Sequence, residues 1–156
     1  MESVYVETTV VSYLVARPSR DLIVAAHQQA TQDWWLAQRS AFACYVSQIV
    51  LDEASGGDRT EVAKRLAAVS TLPVLSATDA SEGLARELIT RGVIPPRAAG
   101  DAAHIAVAAA HGIDYLLTWN CRHLANAQIK RRVAAVCQRL GAQAPVICTP
   151  EELMGE

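Results

Sequence analysis

The fold is decided by the stretch Ser3-Val4-Tyr5-Val6-Glu7-Thr8-Thr9, close to the start of the chain. Its first four residues favour a β-strand, and the two threonines after Glu7 are good N-cap residues for a helix. The stretch therefore predicts a strand over residues 3–6, a turn and then a helix. Strand, turn and helix in this order are the unit from which α/β folds are built.

The same unit recurs along the rest of the chain. Helices are predicted over residues 21–39, 49–54, 59–70, 79–91, 101–111 and 125–140, and strands over 43–46, 73–75, 115–118 and 146–148. A capping-box signal in Thr149-Pro150-Glu151-Glu152 predicts one more helix. Because parallel strands need helical crossovers, this alternation predicts an α/β fold, a three-layer sandwich with a central parallel sheet.

Length and composition limit the domain organisation and the partners. The chain has 156 residues, of which 51% are hydrophobic, so we expect one domain over residues 1–156. The formal net charge is −2, with 14 basic and 16 acidic side chains, so composition alone does not indicate nucleic-acid binding. A nucleic-acid partner would have to be recognised at a local site.

The cysteines and the apolar segments bear on location. Cys44, Cys121, Cys137 and Cys148 form no C-x-x-C pair, which favours reduced thiols over a disulfide framework. Cys121 and His123 have the spacing of a zinc half-site, but no second pair stands at ligand spacing. Since the sequence contains no leader-like start and no apolar run of about 20 residues, we expect a cytoplasmic protein without a membrane span.

Four oxygen-bearing side chains are predicted to meet at one edge of the sheet. Glu7 follows the first strand, and Glu53 lies early in the helix after the second strand. Asp101 begins the helix before the 115–118 strand, and Asn120 follows that strand. Because parallel strands end at the same edge, where ligands bind at the point of strand reversal, we expect these four residues to form the catalytic site.

The acidic character of this set indicates a divalent cation, because crowded carboxylates repel one another unless a cation neutralises them. Oxygen donors favour Mg²⁺ or Mn²⁺, and we expect Glu7, Glu53 and Asp101 to hold that ion. Such an ion can bind a phosphate oxygen, activate water for in-line attack and stabilise the leaving oxygen. The site therefore predicts metal-dependent hydrolysis of phosphodiester bonds, such as those of RNA.

Each residue also has a structural interpretation. Asp101 alone fits a helix N-cap, Glu53 a solvated or ion-paired surface group, and Asn120 a left-handed turn position. Glu7 is harder to explain in this way, because glutamate is a poor cap and a threonine follows it. His104 shares a helix face with Asp101 and is interpreted as a packed or hydrogen-bonded histidine near the site.

Three parts of the sequence resemble the PIN-domain superfamily, in its VapC-like toxin branch. They are residues 4–14, residues 50–58 and residues 100–108 continued by 117–126, and the likeness extends to the ending at residues 148–154. The most specific run is Thr118-Trp119-Asn120-Cys121-Arg122-His123-Leu124-Ala125-Asn126.

This resemblance implies an endoribonuclease that depends on Mg²⁺ or Mn²⁺, forms a homodimer and is inhibited by a cognate antitoxin. The acidic set of the family falls here on Glu7, Glu53 and Asp101, with Asn120 where many members carry a further acidic residue. Glu7 is one methylene longer than the usual aspartate and Asn120 has no charge. Both differences bear on rate and metal preference rather than on the fold.

Two other functions stay open on the sequence alone. A PIN-like module with an altered site could act through RNA or antitoxin binding without turnover. Another α/β enzyme of phosphoryl transfer is disfavoured, because the sequence contains no G-x-x-x-x-G-K-[ST] loop, no G-x-G-x-x-G fingerprint and no D-x-D motif.

Overall fold

A computed structural model describes residues 1–155 of the chain. The strands are β1 (Ser3–Val6), β2 (Ala43–Ser47), β3 (Val74–Leu75), β4 (Tyr115–Leu117) and β5 (Val146–Cys148). The helices are α1 (Thr8–Val15), α2 (Leu22–Ala37), α3 (Gln48–Ala54), α4 (Arg59–Val69), α5 (Asp79–Thr90), α6 (Ala99–Ala110) and α7 (Ala127–Arg139). Two short 3₁₀ helices cover Arg39–Ala41 and Pro96–Ala98.

The five strands form one parallel sheet in the order β3-β2-β1-β4-β5. The chain first moves outward from the central strand β1 to β2 and β3, and then returns to the other side of β1 with β4 and β5. The strand order therefore reverses between β1 and β4, which is where an open α/β sheet forms its ligand crevice. Register pairs Val6 with Leu117, so both strands end together at this point.

Helices cover both faces of the sheet. Right-handed crossovers place α1 to α4 on one face and α5 to α7 on the other, and helix packing is closest between α5 and α6 and among α1, α2 and α4. The predicted three-layer α/β sandwich is thereby confirmed. The core lies between the layers and contains fully buried residues of β1, α6 and β4, among them Val4, Val6, Ile105, Leu116 and Leu117.

The strands and helices predicted with bounds before residue 149 all lie within two residues of their predicted ends, but the N-caps of two helices differ from the prediction. Glu7, and not a threonine, is the N-cap of α1, because its side chain accepts a hydrogen bond from the Thr9 backbone N–H. Helix α6 starts at Ala99, so Asp101 lies inside its first turn and is not its N-cap. The interpretation of Asp101 as a helix cap is therefore wrong.

The capping-box signal near residue 149 forms its hydrogen bonds without a helix. The Thr149 backbone N–H donates to Glu152 Oε1 at 3.1 Å, and the Glu152 N–H donates to Thr149 Oγ1 at 3.4 Å. These contacts close a turn over residues 150–153, and no helix is assigned there. The helix prediction is wrong because Gly155, a poor helix former, lies where the next turn would have to form.

Two further predictions bear on the chemical class of the chain. Cys44, Cys121, Cys137 and Cys148 are all free thiols, which agrees with the absence of a disulfide framework. Within residues 1–155 no helix is long and apolar enough to cross a lipid bilayer.

Candidate active site

Glu7 is the acidic residue at the point where the strand order reverses. Its backbone N–H donates to the Leu117 carbonyl at 3.1 Å, which extends the β1–β4 ladder by one residue and fixes Glu7 beside the end of β4. The residue is only 3% exposed. A carboxylate at this depth must be held by hydrogen-bond donors or by a cation, since burial removes its water.

Two threonines and one backbone amide hold the Glu7 carboxylate. Oε1 accepts from Thr9 Oγ1 at 2.6 Å and from Thr118 Oγ1 at 2.5 Å, while Oε2 accepts from the Thr9 N–H at 3.1 Å. The threonine hydroxyls accept in turn from the backbone N–H groups of Trp119 and Asn120, both at 2.9 Å. Because these amides occupy the acceptor side, each hydroxyl proton is directed at Glu7, and Oε2 keeps one lone pair free.

Glu53 reaches the same place from α3, the helix after β2. Its Oε1 accepts from Thr8 Oγ1 at 2.7 Å and from His104 Nε2 at 2.5 Å. The hydrogen bond from His104 is the main reason that the pKa of Glu53 lies below its usual value, and burial opposes this shift. The side chain is 42% exposed, so the interpretation of Glu53 as an ordinary surface group is only half right, because its end is fixed inside the site.

His104 is completely buried and both of its ring nitrogens are hydrogen-bonded. Nδ1 lies 2.6 Å from the Tyr5 hydroxyl, which lies 2.6 Å from Ser47 Oγ. Tyr5 is likewise fully buried, and burial raises the pKa of its phenol, with a smaller contribution from the charges of Glu7 and Glu53. The prediction of a hydrogen-bonded histidine near the site is confirmed.

Asp101 lies in the first turn of α6, half-buried. The neighbouring Gly100 contacts Glu53, since a Cβ added at Gly100 would lie 3.6 Å from Glu53 Oε2. Gly100 and His104, four residues apart on α6, thus both face Glu53, and Asp101 occupies the adjacent position on the helix. Its negative charge suits the N-terminal turn of a helix.

Asn120 lies in the loop after β4 and holds that loop together. Its Oδ1 accepts from the backbone N–H groups of Arg122 at 3.2 Å and His123 at 3.0 Å. Within residues 1–155 only glycines have positive φ, so the interpretation of Asn120 as a left-handed turn residue is wrong. The loop is made instead by side-chain to backbone bonds, which asparagine forms readily.

The structure gathers a possible metal-binding group from three separate elements. Ligand atoms of Glu7, Glu53 and His104 all lie within 4.8 Å of one another, and Asp101 lies outside this group. In the part of the chain that the structure describes, no lysine or arginine forms an ion pair with Glu7 or Glu53. Two neighbouring carboxylates with no lysine or arginine partner, and with His104 as the one basic side chain bonded to Glu53 within residues 1–155, are the electrostatic setting that favours a divalent cation.

The sequence predicts Glu7 and Glu53 at one edge of the sheet, where the structure has them, but it does not predict all of the side chains around them. The sequence predicts both Thr118 and Tyr5 only as strand residues. In the structure the Thr118 hydroxyl donates to Glu7, and the Tyr5 hydroxyl contacts His104. The one signal in the sequence was the position of His104 three residues after Asp101, in a helix otherwise made of small apolar residues. Nothing local predicts that Thr118 meets Glu7, because that contact depends on the strand order.

Comparison with solved structures places the fold among known ones. The chain matches a chain in the crystal structure of VapBC2 from Rickettsia felis bound to a DNA fragment from their promoter. The TM-score is 0.62 and the sequence identity 16%, over 94% of this chain and 98% of that chain. At that identity the likeness concerns the fold, and this chain has a VapC-like PIN fold.

Comparisons of sequence add no further assignment. No protein-family model matches the chain, and no curated protein matches its sequence.

Proposed function

We propose that this protein is a Mg²⁺- or Mn²⁺-dependent endoribonuclease that acts as the toxin of a toxin-antitoxin pair. The observation that carries this proposal is the buried Glu7 carboxylate beside Glu53 at the point where strand order reverses, with no lysine or arginine to balance them within residues 1–155. A PIN fold with such a site is typical of metal-dependent nucleases.

The donor set suits a hard divalent cation. Glu7 Oε2 keeps one free lone pair, and Glu53 Oε2 accepts no hydrogen bond from residues 1–155. We propose Glu7, Glu53 and Asp101 as the ligands; Asp101 lies in the first turn of α6, where a Cβ added at the preceding Gly100 would lie 3.6 Å from Glu53 Oε2. A bound ion would supply a site for a phosphate oxygen and a more acidic water.

The residues of the chain have separate roles in this proposal. The threonines at Glu7 fix the carboxylate before any ion arrives, so little reorganisation is needed on binding. Asn120 is proposed to act at the same edge, where its side chain shapes the loop after β4. A net charge of −2 gives RNA no general attraction, so the cation would also be the receptor for the phosphate.

The proposed partners follow from the fold and the site together. The matching structure is a VapBC2 complex, which supports a cognate antitoxin as a protein partner for this chain as well. RNA is the proposed substrate, a homodimer the proposed assembly and the cytoplasm the proposed location. The large exposed side chains of α2, Leu22, Ile23 and Leu36, offer apolar surface that a protein partner would cover.

One observation favours a second candidate, a PIN module that binds RNA or antitoxin without turnover. Asn120 uses its side-chain oxygen within the loop, where many PIN proteins carry an acidic residue. Such a module would keep partner affinity and show no metal-dependent cleavage.

Cleavage of a structured RNA with and without Mn²⁺ or Mg²⁺ tests the proposal. We expect cleavage only with the ion, and a loss of about a hundredfold or more in Glu7→Gln and Asp101→Asn. Glu87→Gln is the matched control, because Glu87 pairs with Arg91 on the exposed face of α5. If Glu7→Gln and Asp101→Asn cleave as fast as the wild type, the assigned roles are wrong. RNA or antitoxin binding without cleavage would favour the second candidate.

A further inference from the structure

We infer that Tyr5 and His104 are positioning residues that hold Glu53 for a divalent cation, through a buried hydrogen-bond chain that starts at Ser47. This inference rests on the proposed function, since it concerns the same metal site. It adds a role for residues that do not themselves have to touch the ion or the RNA.

The chain of contacts is continuous from the core to the site. Ser47 Oγ lies 2.6 Å from the Tyr5 hydroxyl, which lies 2.6 Å from His104 Nδ1, and His104 Nε2 lies 2.5 Å from Glu53 Oε1. Tyr5 and His104 are fully buried and Ser47 is 1% exposed, whereas the Glu53 side chain is 42% exposed. A rigid interior thus determines where a half-exposed carboxylate lies.

The direction of each hydrogen bond follows from the groups at the two ends. A glutamate carboxylate only accepts, so His104 Nε2 carries the proton and Nδ1 offers its lone pair to the Tyr5 hydroxyl. The Tyr5 oxygen then accepts from Ser47, whose own oxygen accepts from the Val50 N–H at 3.4 Å. All groups in the chain are satisfied, and the ring is fixed as the Nε2–H tautomer.

If the hydrogen bonds ran in the opposite direction, from His104 to Tyr5 to Ser47, one buried group would lack a partner. A ring that also carried a proton on Nδ1 would donate to Tyr5, and Tyr5 would then donate to Ser47. Within residues 1–155 the Ser47 hydroxyl proton would have no acceptor, because its other contact is the donor Val50 N–H. An unsatisfied buried hydroxyl is unfavourable, so the geometry favours a His104 ring that accepts from Tyr5 at Nδ1 and donates to Glu53 from Nε2.

The consequence for Glu53 is that one of its oxygens is occupied and the other is left for a ligand. Oε1 accepts from His104 Nε2 and from Thr8 Oγ1 at 2.7 Å. Oε2 is next to Gly100 at the start of α6 and accepts no hydrogen bond from the described residues. Groups that fix a ligating side chain in this way commonly change metal affinity by 10- to 100-fold when they are removed.

His104 itself is not inferred to be a ligand, although it belongs to the group of Glu7 and Glu53 by distance. Both of its nitrogens are already hydrogen-bonded, so it could bind an ion only by breaking its contact with Tyr5 or with Glu53. If His104 is a ligand, one of its nitrogens binds the ion directly. If it is a positioning residue, no histidine nitrogen is bound to the ion.

Mn²⁺ binding to the folded protein separates these roles without any RNA. We expect Mn²⁺ affinity, measured by electron paramagnetic resonance, to fall about 10- to 100-fold in His104→Leu and to recover to within about threefold of wild type in His104→Gln. Glutamine keeps a donor at the position of Nε2, whereas leucine fills the space without one. His111→Leu, at the C-terminal end of α6, is the matched control and should bind Mn²⁺ as the wild type does.

Tyr5→Phe is the second variant, and it keeps the volume of the core if His104→Leu does not fold. Removal of its hydroxyl should weaken Mn²⁺ binding by about three- to tenfold and should allow both tautomers of the His104 ring. ¹⁵N NMR of the wild type should show His104 protonated on Nε2 and bare on Nδ1, with a mixture of tautomers in Tyr5→Phe.

The outcomes distinguish this inference from the proposed function. Equal Mn²⁺ affinity in wild type and in His104→Leu, or in wild type and in Tyr5→Phe, would overturn the positioning role and leave the nuclease proposal standing. A ¹⁴N coupling from a directly bound histidine nitrogen, in the pulsed electron paramagnetic resonance spectrum of the Mn²⁺ complex, would also overturn the positioning role. His104 would then be a ligand of the ion. A wild type that binds no Mn²⁺ at all would overturn both.

Discussion

The β1–β4 strand pair carries a carboxylate at each of its ends, in opposite surroundings. At the amino end, Asp114 is exposed and accepts from the backbone N–H of Ser3 at 2.7 Å and from its hydroxyl at 2.8 Å. At the carboxyl end, Glu7 is 3% exposed and accepts from two threonines and one amide. Both carboxylates link the same two strands, and Glu7 has the carboxylate of Glu53 beside it.

This difference distinguishes a structural carboxylate, Asp114, from Glu7, the carboxylate that we propose to bind an ion. Asp114 has its donors and water, so it needs nothing further. Glu7 and Glu53 are close together without a lysine or arginine partner within residues 1–155, which leaves a charge imbalance that a cation would remove. The hydrogen bonds alone do not distinguish the two ends, whereas burial and neighbouring charge do.

The largest expected effect is on thermal stability in the presence of an ion. Mn²⁺ at about 100 times its dissociation constant should raise the unfolding temperature by roughly 5–10 °C in the wild type, because it binds only the folded state. Asp114→Asn should show the same rise, and Glu7→Gln should show little or none. An equal rise of the unfolding temperature in Glu7→Gln would mean that Mn²⁺ does not bind at Glu7, and the two ends of the β1–β4 strand pair would not differ in function. Differential scanning calorimetry measures all three.

Removal of one hydroxyl at the carboxyl end should be more destabilising than removal of one at the amino end. Thr118→Val leaves the buried Glu7 with one donor fewer, which should lower the free energy of unfolding by about 1–3 kcal/mol in the absence of metal. Ser3→Ala should lower it less, because water can replace the hydroxyl at the exposed Asp114.

Urea unfolding measures both changes, with Thr118→Ser as the variant that keeps the hydroxyl. A Thr118→Val protein as stable as the wild type would mean that this hydrogen bond does not support Glu7.

A smaller effect is expected on the acid side of the stability curve. Hydrogen bonds from the backbone N–H and then the hydroxyl of Ser3 hold the pKa of Asp114 below its usual value. A lowered folded-state pKa stabilises the protein above about pH 4 and loses this contribution as the pH falls through the folded value. Asp114→Asn should therefore have a flatter stability curve below about pH 4 than the wild type. Parallel curves would contradict this assignment.

Chemical labelling of the cysteine thiols tests whether the sheet edge at the carboxyl ends of the strands is closed to solvent. Burial raises the pKa of Cys148, the last residue of β5, to about 12 and that of Cys44 to about 11. Burial also raises the pKa of Cys137, whereas Cys121 is exposed. Iodoacetamide at about pH 8 should thus label one thiol per folded chain and four after unfolding, as counted by mass spectrometry. Rapid labelling of Cys148 would show that this edge opens to solvent.

Local sequence signals predicted most of the fold. The β-favouring residues of β1 act over a few residues. So do the caps Asp21 and Ser47 and the positive-φ glycines Gly112 and Gly141, which follow α6 and α7. The helix predicted after Thr149 is wrong. Its capping hydrogen bonds form locally, but a helix continues only if the residues beyond them allow it.

The site could be predicted only in part, because it depends on contacts across long sequence separations. Parallel strands bring their carboxyl ends together whatever their order, so Glu7 and Glu53 could be placed at one edge. The contact of Thr118 with Glu7 requires β4 to pair with β1, which alternation of strands and helices does not determine. The link from Tyr5 through His104 to Glu53 depends on three elements packing together. The role of Asp101 as a ligand stays a prediction.

If Glu7 and Glu53 share a divalent ion, anomalous scattering from a crystal grown with Mn²⁺ should show it. We expect one strong peak with oxygens of Glu7 and Glu53 at roughly 2.0–2.2 Å, and Asp101 beside it. Absence of a peak there, or a peak held by other residues, would contradict it.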